Sequence, residues 1–84
     1  LETVIQKGHR RNVMTVQLSH NGRLLASGSR DKSIIIWDVA TKRQMRTLNG
    51  HEGSVLQVVF SQDDQYIASV SGDMTLRIWE VKSG

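Results

Sequence analysis

The sequence predicts an all-β fold built from two tandem repeats, and three observations carry that reading. Landmark residues recur at one offset: Gly8 and Gly50, His9 and His51, Val13 and Val55, Asp31 and Asp73, and Trp37 and Trp79 each lie 42 residues apart, with no gap needed along the copy. A fixed period near this length marks a repeat architecture in which each copy is one supersecondary unit. Short runs rich in Val, Ile, Leu and Thr alternate with clusters of Gly, Asn, Asp and Ser, the pattern of strands and turns. No stretch carries the 3.6-residue apolar period of a long helix, and no proline interrupts any candidate strand.

The elements follow in order. Residues 1–7 contain Thr3-Val4-Ile5, a β-branched run that reads as a strand. Val13–Leu18 is next, followed by Ser19-His20-Asn21-Gly22. Asn-Gly between apolar runs is a hairpin signal because both residues tolerate positive φ. Leu24–Ser27 and Ile34–Trp37 are strands flanking a turn at Ser29-Arg30-Asp31-Lys32, and the all-apolar Ile34–Trp37 run reads as fully buried. After Ala40-Thr41-Lys42, the more polar Gln44–Leu48 forms a fourth strand. The second copy repeats the pattern with Val55–Phe60, Tyr66–Val70 and Thr75–Trp79, and the sequence reaches Gly84 before a fourth strand.

Composition narrows the function classes. The chain has 84 residues and ordinary soluble composition, with neither low complexity nor a disordered bias. It has no cysteine, hence no disulfide framework and no thiolate metal site. An intracellular setting, cytoplasmic or nuclear, fits that usage. No signal-peptide pattern is visible, no apolar run is long enough for a membrane helix, and the missing initiator Met points to a fragment or a processed product. The net charge of +3 is uneven: residues 1–42 hold seven Lys/Arg against three acids, and residues 43–84 hold four against five. Basicity therefore belongs to the first repeat, an asymmetry seen where a partner is acidic.

Two in-register copies, each with Gly-His at the start (Gly8-His9, Gly50-His51) and Trp-Asp or Trp-Glu ending the third strand (Trp37-Asp38, Trp79-Glu80), resemble the WD-repeat family of β-propellers. Glu80 in place of Asp is the one departure from the dipeptide. The resemblance covers nearly the whole chain. It implies two four-stranded antiparallel blades: residues 8–48 as the first and residues 49–84 as the second, lacking its outer strand. Residues 1–7 would be the outer strand of a preceding or neighbouring blade. A pair of blades leaves one face of each wet, and rings of about four to eight blades close. The segment therefore needs further blades, from a longer chain or from identical copies.

The resemblance also implies a structural hydrogen-bond tetrad in each repeat: His9, Ser27, Asp31 and Trp37, and His51, Ser69, Asp73 and Trp79. An imidazole can bridge a carboxylate and a hydroxyl, and a buried indole N–H needs an acceptor. Ser29 and Ser71 have the same facing and are alternative hydroxyls. Read as chemistry, Ser-His-Asp suggests a hydrolase. Recurrence of the set at one period, without a Gly-x-Ser-x-Gly elbow, favours structure. His9, His20 and His51 are spread over two blades and opposite ends, so no metal site is expected. Ala26-Ser27-Gly28-Ser29 lacks the Lys and spacing of a phosphate loop.

Catalytic residues and cofactors are therefore not expected. In the family, the loops carrying Gly-His and the Asp-containing turn lie on one face often used for binding. That face would collect Arg10, Arg11, Asn12, Arg30 and Lys32 on the first blade and Glu52, Ser54 and Met74 (beside Gly72) on the second. The expected function is a non-catalytic protein–protein interaction scaffold whose rim grips an acidic or phosphorylated peptide. Nucleic acid is disfavoured because no aromatic platform interleaves the charges. The alternative is a self-assembling two-blade module closing a six- or eight-bladed ring; a hydrolase ranks third.

Overall fold

The computed structural model describes residues 8–82. The expected strand at Thr3–Ile5 lies outside them. Seven strands form two antiparallel meanders: β1 (Val13–Leu18), β2 (Leu24–Ser29), β3 (Ser33–Asp38) and β4 (Arg43–Asn49) in one sheet, and β5 (Val55–Phe60), β6 (Tyr66–Ser71) and β7 (Leu76–Glu80) in the other. Among the described residues, the strands pair in sequence order, each with its neighbour in the chain.

β1 and β5 fall on the expected residues. β2 and β6 run further, to Ser29 and Ser71, because their last residues pair with Val13 and Val55 across a bulge. β3 spans Ser33 to Asp38 and β4 spans Arg43 to Asn49, pairing Ser33 with Asn49 and Asp38 with Arg43. β7 starts one residue later than expected, at Leu76. Thr75 is drawn into the preceding turn, where its backbone N–H and hydroxyl both donate to Asp73 Oδ1.

The expected hairpin joins β1 to β2, although Asn21 does not share the positive φ of Gly22. A five-residue loop, residues 19–23, joins β1 to β2, and only Gly22 takes positive φ, at 75°. Asn21 acts through its side chain: Ser19 Oγ and Arg23 N both donate to Asn21 Oδ1, and Leu24 N donates to Ser19 Oγ. The second copy builds the same loop from Ser61 and Asp63, with Asp64 at φ 60° in the place of Gly22. Asp64 reaches across to the first sheet, where its carboxylate accepts the backbone N–H of His20 (2.8 Å) and Asn21 (3.0 Å).

The main core lies between the sheets. Ala26, Ile34, Ile36 and Leu48 of the first pack against Val55, Val58, Phe60, Ile67 and Trp79 of the second. Burial of side chains of this size contributes about 1.5–3 kcal/mol each. Equivalent positions in the two copies have opposite fates. Ile36 is 1% exposed and Ile78 is 62% exposed, because the first sheet turns this face inward and the second turns it outward. Val58 is 1% exposed and Val16 is 47% exposed for the converse reason. The second sheet thus leaves an apolar face open, whereas the other face of the first holds a second buried cluster of Leu25, Ile35 and Trp37 beside the exposed Val16.

Candidate functional site

Within each sheet four side chains join in one hydrogen-bonded chain. Trp37 Nε1–H donates to Ser27 Oγ at 2.8 Å, and Ser27 Oγ lies 2.6 Å from His9 Nε2. His9 Nδ1 lies 3.0 Å from Asp31 Oδ2. With His9 as the Nδ1–H tautomer, every donor in the chain meets an acceptor. The pairing of Ser27 with Ile35 and Leu25 with Trp37 sets Ser27 diagonal to the indole. The second copy repeats the geometry: Trp79 to Ser69 at 2.8 Å, Ser69 to His51 at 2.7 Å and His51 to Asp73 at 3.3 Å. Among the described residues, no buried side-chain nitrogen or oxygen lacks a partner.

The alternative hydroxyls have other work. Ser29 Oγ is within hydrogen-bonding distance of the carbonyls of Arg11 and Asn12 and accepts the N–H of Asp31. Ser71 Oγ accepts the N–H of Asp73. Sequence reasoning missed two further members, Ser33 and Thr75, whose hydroxyls donate to Asp31 Oδ1 and Asp73 Oδ1. Their signal was a hydroxyl two residues after each Asp at the common 42-residue offset. Burial opposes ionisation of Asp31, but bonds from the Ser33 hydroxyl, the N–H groups of Arg10 and Ser33, and His9 prevail and hold its carboxyl down at about 2. Asp73 is held low by the Thr75 hydroxyl and the Glu52 N–H foremost.

These bonds fix the loops at one end of the molecule. Arg10 N donates to Asp31 Oδ2 at 2.9 Å, Glu52 N donates to Asp73 Oδ2 at 2.8 Å, and Arg30 N donates to the Asn12 carbonyl at 3.0 Å. Arg10, Arg11, Asn12 and Arg30 line an open depression of about 560 Å³ together with Ser54, the residue before β5. Lys32 sits at the β2–β3 turn with φ 74°, exposed and outside that lining. Met74 is its counterpart, at φ 69° and 96% exposed. Glu52 is exposed beside the Asp73 turn.

The model of the family described as WD domain, G-beta repeat matches residues 2–38 and again residues 42–80. The chain belongs to the WD40 family. The WD40 repeats of RRP9, in a crystal structure, superpose with a TM-score of 0.85 at 31% identity, covering 88% of this chain and 22% of that one. WD repeat-containing protein 18 of Rattus norvegicus is 45% identical over 42 residues, half of this chain. A ribosome biogenesis protein BOP1 homolog of Drosophila virilis is 40% identical over 48 residues, or 57% of it. The chain spans 10% and 6% of the length of these two relatives.

As WD40 blades, the two sheets present the His9–Asp31 and His51–Asp73 pairs at the same end as the depression. The chemistry open to the tetrad atoms is limited by access. Ser27 is fully buried between imidazole and indole, so its hydroxyl has no path to a carbonyl substrate. Among the described residues, no cluster of three or more His, Cys, Asp or Glu side chains is placed to hold a metal ion.

Proposed function

We propose that this chain is part of a non-catalytic protein–protein interaction scaffold, a WD40 propeller segment that presents rim loops to a partner. Residues 8–48 act as one blade, residues 49–84 as a second, and residues 1–7 as the outer strand of a neighbouring blade. The tetrads serve as structural pins. The carrying observation is that a buried hydrogen-bonded chain anchors the rim loops twice, through the N–H groups of Arg10 and Glu52. Loops held in this way lose little entropy on binding. The rim residues of the first blade are Arg10, Arg11, Asn12, Arg30 and Lys32, with Glu52, Ser54 and Met74 on the second. The setting is intracellular, and a relative named for ribosome biogenesis is consistent with a nuclear one.

Proximity labelling with the chain as bait, compared with an Arg10→Glu/Arg11→Glu variant, tests this reading. The expected result is loss of a defined set of neighbours by the variant at unchanged melting temperature. An identical set of neighbours for both proteins overturns a role for this rim.

A second reading is favoured by the open apolar face of the second blade. The open face bearing Ile78 on the second blade is the counterpart of the covered face bearing Ile36 on the first. Stacking one copy's second blade on another's first repeats the existing contact head to tail, and such heterologous contacts close rings. Three or four copies would make six or eight blades. Light scattering after size exclusion decides: a trimer or tetramer supports self-assembly, and a folded monomer removes it.

A further inference from the structure

We propose that the depression lined by Arg10, Arg11, Asn12, Arg30 and Ser54 binds a phosphorylated serine or threonine within an extended peptide. The proposal rests on the scaffold reading and names the chemistry of its partner. Three arginines, Arg10, Arg11 and Arg30, line one open depression of about 560 Å³. Among the described residues, none of the three is engaged in an ion pair, so their charge is free for a ligand. Guanidinium stays ionised at any physiological pH, and its planar fork matches two phosphate oxygens at once.

The nearest acid in the sequence, Asp31, does not compete for these forks. Its carboxylate already receives the N–H groups of Arg10 and Ser33, the Ser33 hydroxyl and His9 Nδ1. The backbone that carries these arginines is also set in advance. Ser29, itself fully buried, holds the carbonyls of Arg11 and Asn12, and the Arg30 N–H donates to Asn12. On the opposite side the Ser54 carbonyl accepts the Gly72 N–H, fixing the backbone there. Binding therefore orders side chains on a fixed frame rather than a mobile loop, which lowers its entropic cost.

Charge count selects the ligand. A phosphate ester carries close to two negative charges at neutral pH and three acceptor oxygens, and three arginines suit it better than the single charge of an Asp or Glu side chain. The basic zone is short: the next rim loop carries Glu52, and the second repeat has more acids than bases. Single-stranded nucleic acid asks for a longer basic track with exposed aromatic platforms. Here Trp37, Trp79 and Phe60 are buried, and Tyr66 sits beside the Ser61 loop, at the other end of the blade.

Fluorescence anisotropy on the full chain tests the proposal. The probes are degenerate short peptides with a central phosphothreonine, the same pool with threonine, the same pool with glutamate, and an oligouridylate. The phosphothreonine pool should bind about tenfold or more tighter than either control pool. Arg11→Gln/Arg30→Gln should remove that preference while the melting temperature stays unchanged, and Arg11→Lys/Arg30→Lys should restore it in part because the charge returns without the fork. If the double variant melts lower, the single variants Arg11→Gln and Arg30→Gln carry the same comparison. Equal affinity for the three pools, no binding of any pool, or an arginine-dependent affinity for oligouridylate alone each overturns the phosphate site. Equal affinities abolished by Arg10→Glu/Arg11→Glu would leave the scaffold reading standing while removing this one.

Discussion

Trp37 Nε1 donates to Ser27 Oγ across 2.8 Å in the interior of the first blade, and the same oxygen lies 2.6 Å from His9. One buried hydroxyl thus satisfies an indole and an imidazole together. Replacing Ser27 with Ala strands both groups. A buried polar group left without its partner costs about 1–3 kcal/mol, so Ser27→Ala should lose more than a surface Ser→Ala change, by roughly 2–4 kcal/mol for the pair. Chemical denaturation with intrinsic tryptophan fluorescence measures it. A midpoint equal to the parent's would show that this hydroxyl carries no such weight.

Acid should weaken the molecule through Asp31. Its carboxyl titrates at about 2 in the fold against an ordinary value of 3.8. A depressed carboxyl contributes stability that is present above the unfolded value and is lost as pH falls through the folded one. Asp73 is shifted in the same direction. Melting temperature should therefore fall as pH drops from about 4 toward 2, and Asp31→Asn should flatten that slope while lowering stability at pH 7. Thermal melts across the range, followed by circular dichroism, give the comparison.

Gly28 packs directly against the second blade. A Cβ there would meet Val55 Cγ1 at 2.5 Å and Thr15 Cγ2 at 2.9 Å. Gly28→Val should force the sheets apart and cost about 1–3 kcal/mol, the range for overpacked cores. The same position in the second copy is Val70, on the open face. Val70→Ala should change stability by no more than about 0.5 kcal/mol. Urea titration of both variants reads the contrast, and equal effects would contradict the packing described.

Met74 holds a left-handed backbone, φ 69°, with a side chain that is almost wholly exposed. Nothing is lost from packing when that side chain goes. Met74→Gly should raise stability by about 0.5–1 kcal/mol, the left-handed penalty less the added freedom of the unfolded chain. Gly22→Ala is the mirror experiment, since φ is 75° there and no atom lies within 4 Å of a new Cβ. It should cost about 1 kcal/mol from strain alone. Differential scanning calorimetry resolves both signs.

Much of the fold was legible because the 42-residue offset tied each element to a second copy. β1 and β5 were read to the residue from their apolar runs. His9, Asp31 and Trp37 and their counterparts at the 42-residue offset were legible as positions, and Ser27 was named with Ser29 left open beside it. Both face the same way on β2, and only the pairing register shows that Ser27 is diagonal to Trp37. The Asn21-Gly22 hairpin was legible, but the side-chain bonds of Ser19 and Asn21 that set its loop were not. The junction of Ser54 with the first-blade arginines, and the reach of Asp64 to His20 and Asn21, depend on how the blades stack. No local pattern encodes that offset.

The hydrogen-bonded chain from Trp37 to Asp31 closes within one copy, linking residues 22 positions apart or fewer. Among the described residues every strand pairing is a neighbour hairpin, and contacts of such short span form fast. During synthesis, each repeat's own hydrogen-bonded chain can form once its Trp has left the ribosome, while the core between the sheets waits for the next repeat. The Asp64 contact with His20 and Asn21, across 44 and 43 positions, belongs to the later docking of one finished unit on another. The order of assembly thus runs with the direction of translation, and a repeat stalled before its Trp would remain open to chaperones or proteases.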